Sequence, residues 1–184
     1  MAIIHRATLT PSKAGLVSAW LPTQPWFDAP AAEARPVAAY RFDDPDGEVG
    51  IESHLLEVAG RIVHVPLTYR GAPLAGAEES LVGTMEHSVL GTRWVYDGPG
   101  DPVYRAEVTR VVREGGTQVR LWVETPEGPV EREPSMQVRG SGSGEADAEV
   151  VVVRWPAAQE PAGGAVLTGT WPGQDAPVVL VRLG

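Results

Sequence analysis

The chain has 184 residues, 43% of them apolar and 21% charged, which is the usage of a folded domain and excludes a disordered chain. Its formal charge of −9 excludes a nucleic-acid surface, which needs clustered cations; Lys13 is the only lysine and the arginines are scattered among acidic neighbours. With no cysteine, disulfides, thiolate nucleophiles and zinc–thiolate sites are excluded together.

This length holds one well-buried core, or one domain with a small appendage. Glycine (21) and proline (17) are frequent enough to predict many turns and short strands. The start, "MAIIHRATLTPSK", places a charged His-Arg pair after a short apolar run, so it does not read as a signal peptide. No apolar stretch approaches the roughly 20 residues that cross a bilayer. The expectation is a cytoplasmic protein without membrane or nucleic-acid partners.

In chain order, "AIIHRATL" reads as a first strand. "TPSKAGLVSAWLP" carries helix-start chemistry: Thr10 caps, Pro11 takes the first helical position, Val17, Trp20 and Leu21 share a face, and Pro22 stops it. "TQPWFDAPAAEARP" is an irregular connection. "VAAYRF" and "EVGIESHLLEV" are strands joined by the tight turn "DDPDG". The next hairpin, into "RIVHVPLTY", has two possible registers. A three-residue loop, Val58-Ala59-Gly60, sets Glu57 against Arg61, Leu55 against Val63 and Ile51 against Leu67. A two-residue loop sets His64 against Leu55 and Glu57 against Ile62. The first pairs like with like and is preferred.

"LVGTMEHSVL" and "TRWVYDG" are two further strands with Gly91 at the break. "GDPVYRAEVTRVVREGG" repeats the helix grammar: Asp101 caps, Pro102 opens, Tyr104, Val108 and Val111 line one face, and Gly115 closes. Beyond it the chain is almost pure β: "TQVRLWVET", "VEREPSMQV", "AEVVVVRW", "AVLTGTW" and "PVVLVRL", with "RGSGSGEADAE" as an acidic, flexible linker. The organisation predicted is an α+β unit over residues 1–115 and a β-rich extension over 116–184 packed on the same core.

Candidate chemistry is sparse. In "LVGTMEHSVL" strand alternation points Glu86 and His87 to opposite faces, so they cannot act as a pair. Trp94 and Tyr96 share a face and, with Arg93, make a candidate ligand or partner surface, against a plain packing role for the aromatics. In the preferred register His54 and His64 lie opposite each other with Glu52 diagonal, a weak candidate for a divalent metal. The run Asp43, Asp44, Asp46, Gly47 and Glu48 lacks the ligand alternation of a calcium loop and reads as a hairpin turn. The Gly-Ser stretch 140–144 lacks the lysine and helix of a phosphate-binding loop. No G-x-S-x-G elbow is present, and Ser53 and His54 would diverge on a strand. A carboxylate pair of the glycosidase kind stays open, because its members need only meet in space.

Taken together, "AIIHRATLTPSK", "AWLP", "YRFDDPDGEVGIESHLL" and "HVPLTYRGAPLAGAEESLVGTMEHSVLGTRWVYDGPGDPVY" resemble the maltokinase N-terminal cap-like family of actinobacterial proteins, over roughly residues 1 to 115. The resemblance implies a cystatin-like module, a curved antiparallel sheet packed on one long helix, to which this chain adds a second helix and its β-rich extension. In larger members such a cap precedes a kinase body that phosphorylates a sugar with ATP and magnesium. Such a body needs a catalytic aspartate with a nearby asparagine and a metal-binding aspartate. This chain contains no asparagine, and Lys13 lies at a helix start, so no catalytic residue carries over. The expectation is a free-standing, non-catalytic cap without cofactor or metal, linked to sugar-kinase, trehalose or α-glucan metabolism. Its partners would be a sugar kinase, an α-glucan enzyme, or a second copy through sheet edges. The alternatives are a sugar or sugar-phosphate binder, and an enzyme with an unrecognised site.

Overall fold

Apolar residues on alternate positions of five long strands build an antiparallel sheet that is covered on both faces. The computed structural model describes residues 2–4, 8–157 and 164–184. In chain order the elements are β1 (Ala2–Ile4), β2 (Leu9–Thr10), α1 (Lys13–Trp20), β3 (Arg35–Asp43), β4 (Gly50–Val58), β5 (Arg61–Arg70), β6 (Leu81–His87), β7 (Gly91–Asp97) and α2 (Pro102–Glu114). They continue with β8 (Leu121–Thr125), β9 (Gly128–Arg132), β10 (Gln137–Gly140), β11 (Val150–Val152), β12 (Ala165–Trp171) and β13 (Gln174–Leu183). The main sheet is strongly curled, with strand order β2-β6-β7-β5-β4-β3. A four-stranded antiparallel sheet, β10-β12-β13-β11, and a three-stranded sheet, β1-β8-β9, complete the mostly β, mixed architecture.

One face of the main sheet presents Tyr40, Phe42, Ile51 and Leu55 to α2 and to the four-stranded sheet, whose Val138, Leu167, Leu180 and Val181 close the same core together with Met136, just before β10. The other face presents Leu56, Val63, Val65 and Val95 to Val17, Trp20 and Leu21 of the first helical segment. Each fully buried leucine on either face contributes about 2 kcal/mol of transfer free energy. One core is therefore assembled from residues 38–181, across the boundary at 115 that the change of texture in the sequence marks.

The second helix forms as its local chemistry predicts. Asp101 accepts a hydrogen bond from the Val103 N–H (2.9 Å), Pro102 opens the first turn, and Gly115 closes it in the left-handed region at φ 64°. The first helix differs from expectation. It spans eight residues, its cap is Ser12 through the Gly15 N–H (3.1 Å), and Thr10 instead pairs with Glu86 in the sheet. The helix expected to be the long one is thus a short helix on one face, and the expected second helix, of 13 residues, is the longer and lies on the other. The expected strand "VEREPSMQV" is split, ending at Arg132 before Pro134 and resuming at Gln137, because proline cannot donate to a ladder.

The register of the β4–β5 hairpin overturns the preferred one. Leu55 pairs with His64, Glu57 with Ile62 and Val58 with Arg61, around a two-residue turn, Ala59-Gly60. Both turn residues have positive φ, 51° and 78°, a turn whose twist matches that of its strands. Like-with-like pairing misled here because both faces are buried: Leu55 and Leu56, adjacent in sequence, each enter a different core.

Candidate functional site

The observed register decides the fate of the histidine pair. His54 and His64 project from opposite faces of the sheet, so Glu52, His54 and His64 do not converge on one point. Among the described residues no group of three or more histidines, aspartates and glutamates could hold a metal ion.

His54 joins a polar cluster on the α1 face. Its Nε2 lies 3.1 Å from the Tyr69 hydroxyl and 3.7 Å from Glu52 Oε2, and Lys13 at the start of α1 forms an ion pair with that same carboxylate. Arg41 stands opposite Glu52 across the β3–β4 ladder. Burial works against the charged form of Glu52, but His54, Lys13 and Arg41 outweigh it and hold the carboxyl at about 2. Burial lowers the pKa of His54, assisted by Lys13 and Arg41 against the pull of Glu52. The cluster is an ionised carboxylate and a neutral imidazole that fasten α1 to the sheet.

His64 belongs to the opposite core, where it is fully buried. Its Nε2 lies 3.0 Å from the Tyr40 hydroxyl. The backbone of Val153 and Leu180 lies near enough to favour the protonated ring without closing a hydrogen bond to Nδ1. Burial, aided by the Arg154 charge, lowers its pKa to about 3, so the ring is neutral.

Two further carboxylates act as joints. The buried Asp101 accepts hydrogen bonds from Arg70 Nε and Nη2 and from the Thr68 hydroxyl, all at 2.7 Å, which ties the start of α2 to β5. Burial would raise its pKa, and these donors together with the Val103 N–H bring it below the usual value. Asp97 receives both guanidinium nitrogens of Arg154, at 2.9 and 2.5 Å; burial raises its pKa despite that partner. The Arg154 carbonyl also accepts the His64 N–H (2.8 Å), beside the stretch of β5 that pairs with β7. Residues 153–155 thus run along the edge of β5, from the C-terminal sheet to the α1 face.

There they meet the aromatic residues of the connection after α1. Trp20, Trp26, Phe27 and Trp155 follow one another with ring centroids 5.7–6.3 Å apart. The Arg154 guanidinium lies 4.5 Å from the Trp26 ring, and that of Arg61 lies 3.9 Å from Trp155. Such contacts contribute about 0.5–1 kcal/mol each at exposed positions. Sequence reasoning treated the segment 23–36 as an irregular connection and missed this belt, since Trp155 is 129 positions from the Trp26 carbonyl that faces its Nε1.

The other expected surface, Arg93, Trp94 and Tyr96, does not form one patch. Trp94 and Tyr96 share a face, but Tyr96 is buried and its hydroxyl accepts the Leu74 N–H at 2.8 Å. Arg93 points to the opposite face and donates to the Leu90 carbonyl at 2.6 Å. Glu86 and His87 diverge as alternation requires: Glu86 accepts from the Thr92 hydroxyl (2.8 Å), while His87 Nδ1 accepts the N–H groups of Val89 and Leu90 and shapes the hairpin turn. The acidic loop is likewise internal, with Asp44 accepting the N–H groups of Asp46, Glu48 and Val49.

No helix among the described residues is long and apolar enough to cross a membrane. Residues 20–101, somewhat less than half of the chain, match the family model described as the maltokinase N-terminal cap domain. No curated protein matches the chain.

Proposed function

We propose, on the premise that residues 20–101 belong to the maltokinase N-terminal cap family, that this chain is a non-catalytic binding module that docks on a sugar kinase or an α-glucan enzyme. The observation that carries this reading is the use of three buried or half-buried carboxylates. Glu52 with Lys13, Asp97 with Arg154, and Asp101 with Arg70 each fasten one element to another. A general acid or base must instead be free to exchange a proton with a substrate. The family description, a cap domain at the N-terminus of a maltokinase, supports the link to sugar-kinase, trehalose or α-glucan metabolism. Part of the same reading is a cystatin-like cap and a cytoplasmic location, which a chain without cysteine fits. The docking surface in this reading is the belt around Trp155 and the exposed Arg61, because tryptophan and arginine are the side chains that most often anchor interfaces.

The test is affinity capture from cell extract with the full chain as bait, beside the variant Arg61→Glu. Recovery of a sugar kinase or an α-glucan enzyme, lost in the variant, is the expected result. Recovery of neither, with a sugar phosphate raising the melting temperature, would replace docking with small-molecule binding.

A further inference from the structure

A cleft of about 350 Å³ opens between the connection that follows α2 and the end of β9. One wall is the segment 117–121, and the other is formed by Glu131, Arg132 and Pro134. The first wall is anchored in each direction. The Val119 N–H donates to the Arg41 carbonyl of β3 (3.0 Å), the Gln118 side-chain oxygen accepts the Val138 N–H of β10 (2.8 Å), and Leu121 begins β8. Small-molecule sites favour such junctions between substructures, and volumes of a few hundred Å³. Arg132 and Glu131 sit on the paired strand β9, which keeps their geometry better than a free loop would, and Gln118 is fixed by its bond to Val138.

The lining chemistry is cationic in a chain that is otherwise strongly acidic. Arg120 and Arg132 bring two guanidinium groups, and Glu131 one carboxylate. Among the described residues the Arg132 side chain has no ion-pair or hydrogen-bond partner, its backbone being paired with Leu121, and Arg120 meets Glu131 only at 3.6 Å, with 76% of its side chain exposed. The Gln118 amide nitrogen, left over from the bond its oxygen makes, is a further donor at the same wall. Guanidinium groups present planar forks of N–H donors that match the oxygens of a phosphate or a carboxylate.

We propose that this cleft binds a small molecule carrying an oxyanion, a phosphate monoester or a carboxylate, gripped by Arg132 and Arg120 with Gln118 supplying a neutral donor. The cleft lies outside residues 20–101, so the proposal stands independently of the cap reading.

The experiment is a titration of the isotope-labelled full chain with inorganic phosphate, glucose 6-phosphate and acetate in turn, at constant ionic strength so that screening does not change. Amide shifts report where and how tightly each probe binds. The expected result is saturable shifts centred on residues 117–134, with a dissociation constant on the order of 1 mM for the simplest probe that binds. Arg132→Ala and Arg120→Ala, both at exposed positions, should each weaken binding about tenfold. A preference for the phosphates over acetate would identify a phosphate monoester as the ligand class, and the reverse a carboxylate. No saturable shift with any probe, shifts centred elsewhere, or binding unchanged in both variants would overturn the proposal.

Discussion

Both faces of the six-stranded sheet close on apolar cores, but with covers of different extent. The α2 face is covered by a 13-residue helix and a second sheet, through a continuous apolar core running from Ala38 to Val181. The α1 face is covered by an eight-residue helix and an irregular connection, and its rim is held by ion pairs and ring contacts: Lys13 with Glu52, Arg154 with Asp97, Arg61 over Trp155. Apolar burial is non-directional and scales with area, so the first face needs a large cover. Ionic and aromatic contacts are directional and few, so on the second face they fix the rim around a smaller apolar core. The α1 rim is the side on which the docking surface proposed above would lie.

The largest break in this comparison is truncation after Gly115. The cut removes Met136, Leu167, Leu180 and Val181 and bares Tyr40, Phe42, Ile51 and Leu55. The fragment should lose cooperative thermal unfolding and bind a hydrophobic dye, read by circular dichroism and fluorescence. Next, Leu180→Ala should cost about 3 kcal/mol in urea unfolding, the range for a fully buried leucine. On the other face, Arg154→Ala should cost about 2 kcal/mol by leaving Asp97 without its cation, and Asp97→Asn in that background should recover part of the loss.

A finer test separates the faces by pH. The folded pKa of His64, about 3, lies below its unfolded value of 6.5, so the unfolded chain takes up that proton first as pH falls. Its contribution to stability is complete above pH 6.5 and declines toward pH 3, at up to about 1.4 kcal/mol per pH unit. Glu52, at about 2 against 4.5, contributes fully above pH 4.5 and loses its share only below it. Urea unfolding between pH 6.5 and 4.5 should therefore show a slope that His64→Gln reduces, with His54, whose folded value is also lowered, supplying the rest. Glu52→Gln should not reduce that slope, because Glu52 only raises the His54 value. The smallest effect belongs to the hairpin tip, where Leu90 is 48% exposed: Leu90→Ser should change stability by less than about 0.5 kcal/mol.

What could be read from the sequence was local. Asp101, Pro102 and Gly115 announce α2 within one short segment, and each acts there as its residue type predicts. Alternation placed Trp94 and Tyr96 on one face and separated Glu86 from His87. The hairpin at Ala59-Gly60 was not legible from side-chain pairing, because a strand buried on both faces, such as Leu55-Leu56 in β4, gives the same apolar score in either register. The turn itself held the better signal, two residues ending in glycine. The joints escaped for another reason: Arg154 reaches Asp97 across 57 positions, and Trp155 reaches Phe27 from the far end of the chain. No periodicity links residues so distant, and only the path of residues 153–155 along β5 brings them together.

Hydrogen exchange with mass spectrometry, followed across increasing urea, tests most directly whether the C-terminal sheet is an integral cover of the six-stranded sheet. The account predicts that β3–β5 and β12–β13 lose protection together, at one urea midpoint, because Leu55 and Leu180 share a core. Loss of protection in β12–β13 at lower urea, with β3–β5 still protected, would contradict it.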